Sequence, residues 1–422
     1  MAICAWLVMA FDSVEQDPRD YLQTEYSGLT LHIKPGHGEA VSLISTFLED
    51  NTKCAEAQLI INRFLSAMAW KEGKAFVTLS GIAGGALPTE KDKPRFNYSE
   101  GRVLRGAVIS QFDFEHLQNP PDDKQKLALA LYREGLNSRN TQFYRFLSFF
   151  KILNIKFATG KAQVGWINAN LGRIWNFIAQ QRLAELQKTE PDVGEYLWKE
   201  GRNAIAHANT DPILDPDIPT DRTAATRDAD LMHGLAEVLI QEELGVPSQR
   251  KIWHEHLYEL EGFKRLFGDP LTARLNAKES VPQADFPPIP PLTLNLKEQP
   301  PYDCLTALSF QVAACKDGIV LLATDPTAQP MAVALALNFP TEKLELVLQM
   351  FGVNHKQEKF TNATAACHYG FLIGYFCNGC LQVFDATNGE RLSHKTGFVA
   401  VNVDLHATVE GWKQKIRELE AE

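Results

Sequence analysis

No apolar run in this 422-residue chain approaches the roughly 20 residues that a bilayer-crossing helix needs. The nearest, Met1 to Phe11, has no cationic flank before it and an acidic one after it, so a buried strand is expected there rather than a signal peptide or a span. With membranes set aside as a partner, the expected location is cytoplasmic. Cysteine is scarce as well: seven residues, at 4, 54, 304, 315, 367, 377 and 380, form an odd and scattered set that suggests reduced thiols rather than a disulfide framework. Nucleotide loops are missing. Gly81, Gly84 and Gly85 have the spacing of neither a phosphate loop nor a dinucleotide fingerprint and read as a plain turn. His254-Glu255-His256 lacks the four-residue histidine spacing of a metalloprotease helix, and there is no serine-nucleophile elbow and no internal repeat. Cys367, His368, Cys377 and Cys380 have zinc-binding atoms, but sequence neighbours such as Cys367 and His368 rarely hold one ion. Asn378-Gly379 is the better explanation of that segment, as a type I′ turn joining two strands. No metal or cofactor is expected.

What is present is enough apolar residue, 45%, to bury a large core in two or three domains. The expected class is α+β and multidomain. Residues 1–118 read as an α/β unit, with strands at Ala5 to Phe11, Leu29 to Ile33, Ala75 to Leu79 and Val103 to Ile109, and a helix from Lys53 to Trp70. Asn119-Pro120-Pro121 opens a helical bundle over 119–279. Helical spacing of apolar residues predicts helices over Asp122 to Arg139, Asn140 to Phe157, Val164 to Lys188, Asp192 to Ala208 and Thr226 to Leu244, with a trailing one from Lys251 to Phe267. Seven prolines between Ser280 and Tyr302 predict an extended linker over 280–303. Residues 304–422 read as a β-rich domain. Its strands are expected at Leu308 to Ala314, Ile319 to Ala323, Met331 to Leu337, Phe371 to Phe376, Leu381 to Phe384 and Phe398 to Val403, and its helices at Thr341 to Phe351 and Thr408 to Ala421.

Within the fourth bundle helix, Arg202, Asn203 and His207 combine a permanent cation, an amide and a titratable imidazole. Such groups also suit a helix C-terminus, where cations meet unpaired carbonyls. Their chemistry reaches further. Cleaving RNA through its own 2′-hydroxyl needs a base, an acid for the 5′-oxygen and positive charge on the phosphate. His207 can move a proton near neutral pH, Arg202 can grip the phosphate through its fork of donors, and Asn203 can orient ribose or imidazole. At about 100° per residue Arg202 lies roughly 140° around a helix from His207, and one histidine cannot be base and acid at once. A homodimer pairing two motif helices would supply both groups.

Between Arg133 and Arg173 stand seven cations and one acid, Glu134, against a net charge of −10 for the whole chain. Arg139, Arg145, Lys151 and Arg173 are the expected RNA contacts of this stripe. The arginine, the polar residue after it and the histidine four residues further on resemble the signature of the HEPN superfamily. The run from Leu131 to Asn154 is similar to the helical hairpin that precedes it in the MauJ and ApeA-like groups. The resemblance implies a helical bundle and a metal-independent endoribonuclease of the toxin or phage-defence kind. It implies as alternatives a non-catalytic binding or assembly protein, as methylamine utilisation would suit, or a nucleotide-sensing module. Recognition of an unknown partner or trigger falls to residues 304–422 by elimination.

Overall fold

A computed structural model of the chain describes residues 2–10, 22–34, 42–48, 51–84, 114, 116–138, 141–207, 213–297, 299–325, 329–354, 361–394 and 404–421. The chain is α+β and divides into two compact units, Met1–Gln249 and Arg250–Glu422. Both differ from the expected boundaries, because residues 1–118 share one hydrophobic core with the helices after them.

The first unit opens with β1 (Ala2–Ala10), β2 (Leu22–Tyr26), β3 (Leu29–Lys34) and β4 (Ser42–Leu48), then α1 (Cys54–Glu72) and β5 (Phe76–Gly84). The strands form an antiparallel sheet in the order β2-β3-β4-β1-β5. The expected strand at Val103 to Ile109 lies outside the described residues. Phe64, Leu65, Met68 and Trp70 of α1 are buried in the shared core, and Trp70 packs edge-on against Tyr132 at 5.0 Å.

The helices then run α2 (Asp123–Asn137), α3 (Gln142–Asn154), α4 (Gly160–Asn170) and α5 (Phe177–Leu186). Asp122 starts α2 by accepting from the Lys124 and Gln125 amides. The single helix expected over Val164 to Lys188 is two. The chain leaves helix at Ile174, which is extended, and restarts where Asn176 accepts from the Ile178 and Ala179 amides. Next come α6 (Val193–Tyr196), a π-helical turn (Leu197–Asn203) and α7 (Ala204–Ala206), which together form the motif helix. The last helix, α8 (Pro219–Val238), starts earlier than expected because Pro219 fits the first helical turn, and a second π turn (Leu239–Glu243) extends it. α3 and α8 lie side by side in the same direction: Arg145 meets Asp230, His233 stacks on Phe149 at 4.8 Å, and Lys156 meets Glu243. Between them sits a buried polar group, the Tyr132 hydroxyl, at 2.8 Å from His233 Nε2 and 3.1 Å from Glu237 Oε1. Burial, reinforced by the Glu237 carboxylate, pushes that phenol well above its ordinary pKa.

From the second residue of α9 (Gln249–His254) the chain is in the second unit, which continues with α10 (Glu261–Phe267) and α11 (Asp269–Asn276). The one helix expected over Lys251 to Phe267 is broken at left-handed His256 and Tyr258. The break puts the Glu259 carboxylate in the interior, where it accepts from the Leu344 amide and meets His256 Nδ1 at 3.0 Å. The proline-rich stretch is not a linker. It contains β6 (Leu292–Leu296), whose Leu292, Leu294 and Leu296 are wholly buried. The prolines flank this alternating run without interrupting it. After β6 come β7 (Phe310–Lys316), β8 (Ile319–Thr324), β9 (Met331–Ala332), β10 (Ala334–Asn338), β11 (Lys343–Leu346) and β12 (Gly352–Val353). Last are α12 (Asn362–Asn378), β13 (Leu381–Asp385), β14 (Arg391–His394) and α13 (Leu405–Ala421). The sheets are β11-β10-β8-β7, β12-β9 and β14-β13-β6.

Two assignments here are reversed. Thr341 to Phe351 holds β11 between short 3-10 turns instead of a helix. Phe371 to Phe376 lies inside α12 and is not a strand, because a wholly apolar run carries neither period and Thr361, accepting from the Thr364 amide, starts a helix upstream. Asn378-Gly379 accordingly ends that helix, with Gly379 left-handed at φ 67°, rather than turning a hairpin. The expected strand at Phe398 to Val403 lies outside the described residues. Cys304 and Cys367 are joined by a disulfide across 63 positions, against the expectation of unpaired thiols. Among the described residues no three potential ligands gather around a metal position, and no helix is long and apolar enough to cross a membrane.

Candidate functional site

The motif helix is anchored at its start. Asp192 caps it by accepting from the Glu195 amide at 2.8 Å and from Asn168 Nδ2 at 2.8 Å, while Asn168 Oδ1 accepts from the Gly194 amide. The Glu195 hydrogen bond, with Asn168 behind it, holds the Asp192 carboxyl below the usual range. A depressed carboxylate stabilises above its unfolded pKa, and the contribution is lost as pH falls through the folded one. Asp192→Ala is expected to cost about 1 kcal/mol at neutral pH. Urea unfolding at pH 7 and again at a pH below the carboxylate range checks both the loss and its disappearance in acid.

One turn on, Tyr196 donates to Asp228 Oδ2 at 2.9 Å, and Asp228 Oδ1 receives Arg182 Nε at 2.8 Å. The carboxylate is only 4% exposed, so α5, α6 and α8 are tied by a buried ion pair with a phenol on it. Burial raises the Asp228 pKa although Arg182 opposes it, and burial followed by Asp228 raises that of Tyr196.

Beyond Tyr196 the winding widens: the Ala204 amide reaches back to the Lys199 carbonyl, five residues away. Gly201 faces inward in this turn, where a Cβ would lie 2.6 Å from the Phe146 ring, so no larger residue lets the motif helix approach α3 this closely. Wide turns of this kind often mark functional sites. The helix ends at Ala206. His207 donates its amide to Asn203 and is already extended, with φ −130° and ψ 110°.

That ending gathers the three motif side chains. Arg202 Nη1 is 2.6 Å from Asn203 Oδ1 and 3.4 Å from His207 Nε2. The helical-wheel expectation of 140° separation fails because His207 has left the helix and its ring folds back over the last turn. Arg202 and Asn203 are half-buried and His207 is exposed. A guanidinium only donates, so the contact uses the Nε2 lone pair and fits an imidazole protonated at Nδ1. A phosphate presented here would meet cation, amide and imidazole from one chain.

The basic stripe is less free than its sequence suggests. Arg145 pairs with Asp230 at 2.8 Å, Arg173 with Glu242 at 2.6 Å, and Lys156 with Glu243. Arg133 donates to the Asn62 carbonyl. Arg139 lies outside the described residues. Of the four expected RNA contacts, Lys151 is exposed and, among the described residues, has no acidic partner. Sequence reasoning missed Arg182, Tyr196 and Asp228. The signal existed: Asp228 falls on the α8 stripe that also carries Ala225, Met232 and Leu235, and an acid on a buried stripe needs a partner.

Residues 128–241 match the family described as methylamine utilization protein MauJ. The MauJ match begins within α2 and ends in the second π turn, so it contains the Arg202 cluster and the Asp228 anchor. No curated protein and no solved structure matches the chain.

Proposed function

We propose that the MauJ-like bundle is an HEPN-type endoribonuclease that cleaves RNA by attack of its 2′-hydroxyl and needs no metal. The observation that supports it is the convergence of Arg202, Asn203 and His207 at an exposed helix end, with guanidinium and imidazole 3.4 Å apart. As the phosphate draws the Arg202 guanidinium onto itself, His207 Nε2 is released to take the 2′-proton, Arg202 holds the phosphate and Asn203 holds the guanidinium in place. Protonation of the leaving 5′-oxygen needs a second group, which a homodimer with two motif helices would supply. The test is total RNA incubated with purified protein in EDTA. Products ending in 2′,3′-cyclic phosphate are expected. Cleavage that appears only when divalent metal is added, or no cleavage at all, sinks this reading.

One observation favours a different reading, a non-catalytic binding or assembly protein of the MauJ kind. Arg145, Arg173 and Lys156 are neutralised by acids of the α8 segment, which leaves less free charge for a long phosphate backbone than a nuclease of random RNA would use.

A further inference from the structure

On the other side of α3 from the Arg202 cluster lies a cleft of about 510 Å³, walled by α2 and α3. Phe146 turns inward under Gly201, and Tyr144, two residues or roughly 200° away, turns outward into the cleft. Tyr144 is 69% exposed and makes no hydrogen bond among the described residues. Lys151 and Arg133 bring two cations to the lining and Glu134 one carboxylate. At the α3 end stands Thr141, whose side chain makes no capping bond, so the amides of the first turn keep their affinity for an anion. A second observation is independent of these charges. Ser148 is only 6% exposed and lines the same cleft, yet its hydroxyl has no partner among the described residues.

We propose that this cleft binds one nucleotide unit. The base stacks on Tyr144, the phosphate sits between Lys151 and Arg133, and the Ser148 and Glu134 oxygens take sugar or base hydrogens. The size falls in the range of small-molecule sites, and an aromatic face beside cations, here exposed Lys151 and the donors of Arg133 that the Asn62 carbonyl does not take, is how single-stranded nucleic acid is held without sequence preference. The cleft does not share residues with the Arg202 cluster, so its occupancy stands apart from cleavage. The ligand chemistry is common to a free nucleoside phosphate and to one residue of an RNA strand.

The full-length protein is titrated by calorimetry with AMP and, separately, with a 2′-O-methyl RNA hexamer that cannot be cleaved. Saturable binding of AMP alone assigns the cleft to a free nucleotide; binding of the hexamer, with or without AMP, assigns it to a strand. In either case Tyr144→Ala is expected to weaken binding ~10-fold or more. Lys151→Glu is expected to abolish it and Lys151→Arg to keep it. All three cleft substitutions are at exposed side chains, so folding is not at issue. Binding of neither probe, or binding that Tyr144→Ala and Lys151→Glu leave intact, overturns the proposal. A protein that binds AMP here but leaves RNA whole in EDTA retains the cleft and loses the nuclease.

Discussion

Asp228→Ala is expected to destabilise the first unit by about 3 to 5 kcal/mol, the usual result of removing one partner from a buried ion pair. The substitution strips Arg182 of the carboxylate it meets at 2.7 Å, and the Arg182 side chain is only 13% exposed. It also leaves the Tyr196 hydroxyl without its acceptor. Both losses fall on the step between α6 and the π turn, so the motif helix should loosen before the rest of the bundle. Hydrogen exchange at 193–206 against urea unfolding of the full chain separates local from global loss. A loss below about 1 kcal/mol would mean that Arg182 and Tyr196 find other partners, and the anchor would not be one. The pH dependence has the opposite sign to that of Asp192. Because burial outweighs Arg182 and raises the Asp228 pKa, its contribution is fully present below the unfolded value and declines as pH rises through the folded one. Acid should therefore fray the Asp192 cap, while at Asp228 it turns the ion pair into neutral hydrogen bonds without the same loss of stability.

The legible parts of this fold are those with strong local period. α2, α3 and α13 follow the apolar spacing of their own residues closely. The motif helix is visible for the same reason, and so is its chemistry, since Arg202, Asn203 and His207 lie within six residues. Its shape is not. A π turn adds one residue to a helix without disturbing the composition around it, and the exit of the chain at His207 is not written in the residues of the helix itself, so a wheel drawn at constant pitch separates groups that touch. Partners distant in sequence are hidden too. Nothing near Asp228 names Arg182 or Tyr196, and nothing near Cys304 names Cys367. Prolines mislead in the other direction: they mark the flanks of β6, and composition counts them without noticing the Leu292, Leu294 and Leu296 alternation between them. Charge misleads in the same way, because the acids that neutralise Arg145 and Arg173 come from the α8 segment, about seventy to ninety residues downstream.

Arg202→Ala and His207→Ala should each abolish RNA cleavage, by about 100-fold or more if each is a transition-state contact, with stability changed by about 1 to 2 kcal/mol at most because the side chains are exposed or half-buried. Mixing the two inactive variants should not restore activity. The reason is the contact itself. Arg202 and His207 lie 3.4 Å apart within one chain, and in a mixed dimer one subunit lacks the guanidinium and the other the imidazole, so neither retains the pair. Had the two groups stood on opposite flanks of the helix, a site assembled across a dimer could take Arg202 from one chain and His207 from the other, and random pairing would return active heterodimers. Co-expression of differently tagged variants, purification of the mixed species through both tags, and assay against RNA in EDTA distinguish the two. Activity recovered in the doubly tagged fraction would show that the working pair is made between chains. A doubly tagged fraction that stays inactive, beside an active wild-type control tagged the same way, is the result that a pair completed in each chain requires.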